Sequence, residues 1–317
     1  MILRFKNTRL IAGIFILSLC GCAAAPQTHS LLQSGLNQLP PQVELADVPF
    51  FAQEAFQCGP ASLASALNAA GFTATPESLK PMLYLPGRNG SLQVEMLAAA
   101  RRHDALAYTL APKLYDVLLE VSSGTPVVVL QNLALSWHPK WHYAIVIGYD
   151  IKRGEIILRS GLDHRQVLPM RTFEYTWARS SYWAMVVLPL GKMPVTAKAT
   201  EFLSAVSVLE KSSDPASTID AYRAALIRWP GNLIAQIGLG NNAYRMGDLI
   251  HAEAVFRQAT KDHPESAAAA NNLAQTLADQ GRYAEALKMA HQAVSLGGEL
   301  QQTAQETLSA IEQKISK

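Results

Sequence analysis

The sequence has little charge, few cysteines and no apolar run long enough to cross a bilayer, and each shortage excludes a class of protein. Charged residues make up 16% of the 317 residues and the net charge is +2, so no broad positive field is available to hold nucleic acid. The apolar stretch from Leu10 to Leu19 is about half as long as a membrane-spanning helix. A chain of this length predicts two globular domains behind a leader.

The first 21 residues have the pattern of a targeting signal, because positive residues precede the apolar stretch. Those positive residues are Arg4, Lys6 and Arg9. The stretch ends in LCGC at 19–22, which resembles the bacterial lipobox, where a small residue precedes the cysteine that is lipidated. The resemblance implies a signal peptide over 1–21, a lipid on Cys22 and, with Ala23 beside it, a periplasmic lipoprotein of the outer membrane. An ordinary secretory signal or an uncleaved anchor is the alternative.

The three cysteines become informative once this signal is set aside. Cys20 would leave with the signal and Cys22 would be acylated, so Cys58 is the single remaining thiol. A single thiol cannot form an intramolecular disulfide, and in an oxidising compartment it adds a risk of intermolecular pairing. Its presence therefore indicates chemistry at Cys58.

Residues 22–43 are rich in Ala, Pro, Gln and Ser and predict a tether. A first domain over 44–190 follows, in which helical segments come before strands, an order that favours an α+β fold with an antiparallel sheet. The predicted helices cover 60–70 and 91–101, the second with Val94, Leu97 and Ala98 as its apolar positions. The predicted strands cover 126–130, 142–148, 155–158 and 182–188, with a hairpin turn at 150–154.

A period of 34 residues runs through the second domain, 196–317, which has no strand-like segment. Pairs at that spacing include Pro230 with Pro264, Tyr222 with Phe256, and Gly247 with Gly281. The pattern resembles the tetratricopeptide repeat and implies an all-α domain, with repeats at 199–232, 233–266 and 267–300 and a capping helix at 300–315. Such arrays expose a concave face that binds peptide segments, so we expect a protein partner on 233–300. A merely structural helical extension is the alternative.

The residues around Cys58 fit a nucleophile. Gly59-Pro60 suits a helix start, and the positive end of a helix dipole favours a thiolate. The amide of Gln53 could donate to the oxyanion that forms when a thiolate attacks a carbonyl. Free cysteines are also common in protein cores, so these residues alone leave a core role open.

The resemblance to a known family rests on VPFFAQ at 48–53, QCGPASLA at 57–64 and HYAIVIGYD at 142–150. These strings resemble the papain-like cysteine peptidase domains that remove double-glycine leaders from bacteriocin precursors, and their stand-alone relatives. The resemblance covers about 45–190 and implies an α+β papain-like fold without cofactor or metal. It also implies that Cys58 is the nucleophile, that His142 is the base and that Gln53 lines the oxyanion hole.

The third member of the triad departs from that family. Relatives carry an aspartate at the end of the strand after the hairpin, and Ser160 stands at that place. If the turn centres on 152–153, His142 would face Asp163 across the hairpin, although one residue of slip would turn Asp163 away. Asp163, Ser160 or a main-chain carbonyl could therefore orient the imidazole, and a Cys58–His142 dyad could work without a strong third group.

These observations favour an envelope lipoprotein that cleaves peptide bonds through a thioester and holds a peptide or protein through its repeats. Trp137 and Trp141 are candidates for the wall of the cleft. The bacteriocin-type relatives are fused to an ATP-binding transporter. No part of this sequence resembles such a transporter, so we do not expect the protein to be specific for double-glycine leaders. A non-catalytic adaptor that acts through its repeats, or a related amidase or acyl transferase, is the alternative.

Overall fold

The structure is a computed structural model that describes residues 25–33, 39–53, 57–85, 87, 90–210 and 214–316. Up to Pro189 the chain mixes helices with seven strands, and from Ala199 onward its regular elements are helices. The predicted fold class, an α+β domain followed by an all-α domain, is confirmed. Among these residues no helix has the length and apolar character needed to cross a membrane.

The α+β region contains six helices and seven strands in the described part of the chain. In chain order they are α1 Pro26–Gln33, β1 Gln42–Glu44, α2 Cys58–Ala69, α3 Pro76–Leu83, α4 Gln93–Arg101, β2 Ala105–Thr109, α5 Leu114–Ser122, β3 Val127–Asn132, β4 Trp141–Asp150, β5 Glu155–Ser160, β6 Asp163–Pro169, α6 Met170–Ala178 and β7 Ala184–Pro189.

The strands form one antiparallel sheet in the order β2-β7-β3-β4-β5-β6, with β1 added beside the far end of β4. Both faces of the sheet are covered, and every residue of β3 is buried. Helices α2, α3 and α4 supply one apolar core, and α5 and α6 supply the other. The central strands therefore read as continuous apolar runs rather than as an alternating pattern.

The predicted tether over 22–43 is wrong where the structure describes it. Helix α1 packs on the domain, with Thr28 and Leu31 buried, and the backbone N–H groups of Gln27 and Thr28 donate to the carboxylate of Glu174 at 3.0 and 2.6 Å. A polar composition hid these contacts, because few buried side chains are needed when a distant carboxylate caps the helix.

The helix predicted over 91–101 has its start and its buried face displaced. It begins at Gln93 after Leu92, and Met96, Ala99 and Ala100 are its buried residues. Val94 is 63% exposed. Small apolar residues filled several faces of this segment, so periodicity alone did not select the one that packs.

The helical region follows the predicted repeats. Its helices are α7 Ala199–Leu209, α8 Pro215–Arg228, α9 Leu233–Arg245, α10 Leu249–Asp262, α11 Ala267–Asp279, α12 Tyr283–Leu296 and α13 Gln301–Ile315. Small residues let the helices approach: a Cβ at Gly238 would collide with the ring of Tyr222, and one at Gly240 with the ring of Phe256. In both pairs a glycine of α9 makes room for the aromatic ring of a neighbouring helix.

The two regions share a core rather than meeting at a loose linker. Phe202 and Val206 of α7 belong to the same apolar cluster as α5. Between the regions, the backbone N–H and the hydroxyl of Thr196 donate to the buried carboxylate of Glu120 at 2.8 and 2.6 Å. Arg228 donates to the carbonyl of Pro194 at 3.1 Å. The connection is therefore held from both sides.

Candidate active site

Cys58 is the first residue of α2, where the sequence forces a sharp and crowded helix start. Pro60 has no N–H, which costs nothing in the first turn. A Cβ at Gly59 would collide with the Ser91 hydroxyl, so only glycine lets this turn pack against the segment before α4. The sulphur of Cys58 accepts hydrogen bonds from the backbone N–H groups of Gly59 and Tyr143.

The bond from Tyr143 joins the helix to the strand that carries the candidate base. His142 is the second residue of β4 and pairs with Gln131 of β3. Its Nε2 lies 2.9 Å from the hydroxyl oxygen of Ser160, which is buried at the end of β5. A neutral hydroxyl thus contacts Nε2 of the imidazole ring. The other ring nitrogen, Nδ1, does not take part in this contact.

Gln53 reaches the same place from the segment before α2. Its backbone N–H donates to the carbonyl of Gly161 at 3.0 Å, which fixes it beside the turn after Ser160. Its side-chain oxygen is buried and has no partner in the part of the chain described. Together Gln53, Cys58 and His142 line one cleft of about 1000 Å³. The three residues predicted to meet are therefore brought together.

The structure separates the two candidates for the third member. Strand β5 ends at Ser160, and Asp163 begins β6 as the backbone partner of Ser160. Asp163 is exposed and lies one strand further from β4. The register predicted from a turn at 152–153 holds from Gly148 to Asp150, but the pairing of β4 with β5 shifts between Val146 and Gly148 and β5 ends at Ser160, so Asp163 does not face His142. Ser160 is the side chain that contacts His142.

Burial governs the charges at this site. Burial and, as the smaller cause, the positive charge of Lys140 together lower the pKa of His142 from 6.5 to about 4. Burial also raises the pKa of the Cys58 thiol, against which the N–H groups of Tyr143 and Gly59 act. A neutral thiol beside a neutral imidazole is therefore the resting state at neutral pH, with the imidazole free to accept a proton.

Sequence reasoning missed Arg159, whose side chain supports the cleft from behind. The guanidinium is buried and donates to the carbonyls of Ala46 at 2.7 Å and Val48 at 3.0 Å. These bonds hold the chain that leads to Gln53 against β5. Sequence offers no signal for this role, since it depends on carbonyls more than 100 residues away.

The predicted wall of the cleft is present in part. Trp141, half exposed, lines the cleft, whereas Trp137 is 81% exposed near the tip of the loop between β3 and β4. No group of three His, Cys, Asp or Glu residues that could hold a metal ion occurs in the described ranges. Cys22, the predicted lipidation site, lies outside the described residues.

Comparison with known families accounts for both halves of the chain. Residues 45–185 match the family model described as "Peptidase_C39 like family", and residues 237–297 match the model described as "Tetratricopeptide repeat". The chain therefore has an α+β domain that matches the C39-like family, followed by an all-helical region that matches tetratricopeptide repeats. The C39-like match covers Gln53, Cys58, His142 and Ser160. No curated protein matches the chain in sequence.

Solved structures resemble each half separately. A Bacillus anthracis protein described as a C39-like peptidase is 19% identical, and the match covers 47% of this chain and 98% of that one with a TM-score of 0.40. The tetratricopeptide domain of Sgt2 from Aspergillus fumigatus is 19% identical over 37% of this chain and 79% of its own, with a TM-score of 0.35. The Yersinia enterocolitica secretion chaperone SycD, in complex with a peptide of the translocator YopD, is 18% identical over 37% and 96%, with a TM-score of 0.34.

Proposed function

We propose that the protein is an envelope lipoprotein whose C39-like domain cleaves peptide bonds with Cys58 and His142, and whose repeats hold a substrate or partner. One observation carries the proposal: a thiol at a helix start, a neutral imidazole and a side-chain amide line the same cleft. This is the set of groups that acyl transfer to a thiol requires.

The reaction begins when His142 takes the proton of the Cys58 thiol as the sulphur forms a bond to the scissile carbonyl carbon. The carbonyl oxygen becomes an oxyanion. The imidazolium then gives its proton to the nitrogen of the peptide, and the C–N bond breaks. The amine departs, and the acyl group stays bound to Cys58 as a thioester. Water repeats the sequence, with His142 as base, and releases the carboxylic acid and the free thiol.

The amide of Gln53 and the backbone N–H of Cys58 are the proposed donors to the oxyanion. The anchoring of Gln53 to Gly161 at 3.0 Å supports this role, because an oxyanion donor must be fixed before charge develops. The loss of one such donor typically lowers the rate by about 10²–10³.

Ser160 serves as the third group in this proposal. Its hydroxyl can accept the Nε2–H of His142, which leaves the lone pair of Nδ1 for the proton of Cys58. A hydroxyl orients the ring but carries no negative charge, so it stabilises the imidazolium less than an aspartate would. The low pKa of His142, about 4, agrees with a neutral partner.

The proposed lipid on Cys22 would hold the domain close to the membrane. Ala25 is buried in the domain, and three residues of chain reach at most about 11 Å. Helix α1 is tied to Glu174 and, through the Gln27 amide, to the start of α5. The catalytic domain would therefore sit on the bilayer surface rather than swing on a tether.

Labelling with a thiol-reactive peptide electrophile tests the proposed chemistry. The lipid-free protein should be labelled at Cys58 at near-neutral pH faster than an unfolded control, and His142→Ala should slow labelling about 100-fold. Cys58→Ser is the matched variant that should take no label. Equal rates in folded and unfolded protein, with no effect of His142→Ala, would contradict the proposal.

A non-catalytic adaptor is the second candidate, and Ser160 in place of an aspartate favours it. The adaptor predicts the failed labelling result together with retained partner binding through 233–300. An amidase or acyl transferase would label at Cys58 but leave peptide mixtures uncut, so mass spectrometry of a digested peptide library distinguishes it from a peptidase.

A further inference from the structure

The charged side chains that line the cleft are all of one sign. Lys140 and Arg179 are its two cations, and none of its described lining residues is an aspartate or a glutamate. Neither cation has a carboxylate partner in the described ranges. A concave site with unpaired charge of one sign concentrates ligands of the opposite sign.

The position of Lys140 is fixed by a buried asparagine. The side-chain oxygen of Asn132, which is 1% exposed, accepts the backbone N–H of Lys140 at 2.9 Å and that of Ala134 at 3.0 Å. The backbone N–H of Leu133 donates to the carbonyl of Lys140 at 2.9 Å. The base of the loop between β3 and β4 is thus rigid, two residues before His142.

Arg179 joins the same structure from the end of α6. One nitrogen of its guanidinium donates to the carbonyls of Asn132 at 3.1 Å and Ala134 at 2.6 Å. Carbonyls do not neutralise the cation, and the second terminal nitrogen remains for a ligand. Asn132 is therefore the common anchor that holds both cations at one end of the cleft.

Lys140 and Arg179 lie at the same end of the cleft as His142. The position of His142 therefore determines which part of a bound peptide would contact the two cations. Lys140 is close enough to the imidazole for its charge to lower the pKa of His142. In the proposed reaction His142 passes its proton to the leaving amine, so the leaving part of the peptide lies on the imidazole side of the scissile bond. The cations therefore face the residues that follow the bond.

We propose that Lys140 and Arg179 form a carboxylate-binding subsite, which selects peptides that carry a carboxylate shortly after the cleaved bond. The inference rests on the proposed peptidase function. The carboxylate can come from an aspartate or glutamate side chain, which makes the protein an endopeptidase for acidic sequences. It can also be the C-terminus of the peptide, which makes the protein remove short C-terminal fragments.

Matched peptide mixtures test this subsite. Each mixture is randomised except at one position, which holds Glu, Gln or Lys, and cut sites and kcat/KM are read by mass spectrometry. We expect the wild type to cut peptides with Glu shortly after the cleaved bond about 5- to 10-fold faster than peptides with Gln at that position. Lys140→Met should reduce that ratio to about 2 or less, and Lys140→Glu, whose carboxylate would oppose Arg179, should abolish the preference for Glu. Mixtures with a free or an amidated C-terminus identify the source of the carboxylate.

The ratio is the informative quantity, because the loss of Lys140 also changes His142 and hence the rate with every peptide. Lys152→Met, which removes an exposed cation at the turn between β4 and β5, should leave the ratio unchanged. A Glu-to-Gln ratio that is the same in the wild type and in Lys140→Met would overturn the subsite while cleavage itself stands.

Binding to the Cys58→Ala variant separates the two proposals. If no mixture is cut but this variant binds Glu peptides about 5-fold more tightly than Gln peptides, the subsite stands and the peptidase function fails. If this variant shows no preference in binding, and the wild type none in cleavage, the subsite is refuted whatever the catalytic result.

Discussion

The repeats and the cleft are built in opposite ways. In the repeats, two aromatic rings pack on glycines of a neighbouring helix, Tyr222 on Gly238 and Phe256 on Gly240, so the architecture depends on residues close together in sequence. In the cleft, Gln53, Cys58, His142 and Ser160 come from four separate segments, two of which are neighbouring strands of the sheet, so the site depends on how distant segments are aligned. The repeats therefore depend on packing between neighbouring helices, and the cleft depends on the register of paired strands.

The largest expected effect is on packing in the repeats. Phe256→Ala removes a buried ring that is 1% exposed and should lower the free energy of unfolding by about 3–5 kcal/mol. Because the cleft depends on register, alkylation of Cys58 in the native protein should keep its rate. Denaturant unfolding followed by circular dichroism, with iodoacetamide labelling in parallel, measures both. If circular dichroism and Cys58 labelling reported the same shift in unfolding midpoint, the two halves would unfold as one cooperative unit.

The split between packing and register also explains what the sequence could predict. The helices of the repeats begin at Leu233 and Ala267, as the 34-residue period required, because each turn is stabilised by its neighbours. The meeting of Cys58 with His142 followed from the family resemblance rather than from spacing. The family resemblance placed Ser160 where relatives carry the aspartate, whereas the hairpin spacing pointed to Asp163, since a shift in strand pairing between Val146 and Gly148 leaves no mark in composition.

The failure at 22–43 has a different origin, a polar contact between segments that are far apart in the sequence. Helix α1 is held by Glu174, nearly 150 residues away, and no local pattern announces such a contact. Burial of one carboxylate, rather than a run of apolar residues, makes the segment part of the domain. Long-range polar contacts are thus the part of this fold that sequence reasoning reads least well.

The next largest effect should be on this long-range contact. Glu174→Gln places an amide donor against the N–H groups of Gln27 and Thr28, and one buried unsatisfied donor costs about 1–3 kcal/mol. We expect a loss of that size in unfolding free energy and faster proteolysis within 25–33. Glu312→Gln, at an exposed carboxylate on α13, is the matched control and should cost less than about 0.5 kcal/mol. Equal stability of both variants would mean that α1 behaves as the tether first expected.

The smallest expected effect in free energy comes from changing the residue of β5 that contacts His142. Ser160→Asp should place a carboxylate beside Nε2 of His142, and an opposite charge raises the pKa of a base. His142 should then titrate well above about 4, and more of Cys58 should be thiolate at neutral pH as an ion pair with the imidazolium. Alkylation of Cys58 at pH 7 should become about 10-fold faster, equivalent to about 1.4 kcal/mol.

The pH profile gives this prediction its sign. In the wild type a neutral imidazole is available above about pH 4, so alkylation should climb with pH as the thiol, whose pKa burial raises, loses its proton. In Ser160→Asp the rate should instead reach a plateau near neutral pH, because the ion pair already exists there. Asp163→Asn is the matched control and should reproduce the wild-type profile, since Asp163 is exposed on β6. If Asp163→Asn instead slowed alkylation of Cys58 at neutral pH, Asp163 rather than Ser160 would be the partner of the imidazole, as the hairpin spacing first suggested.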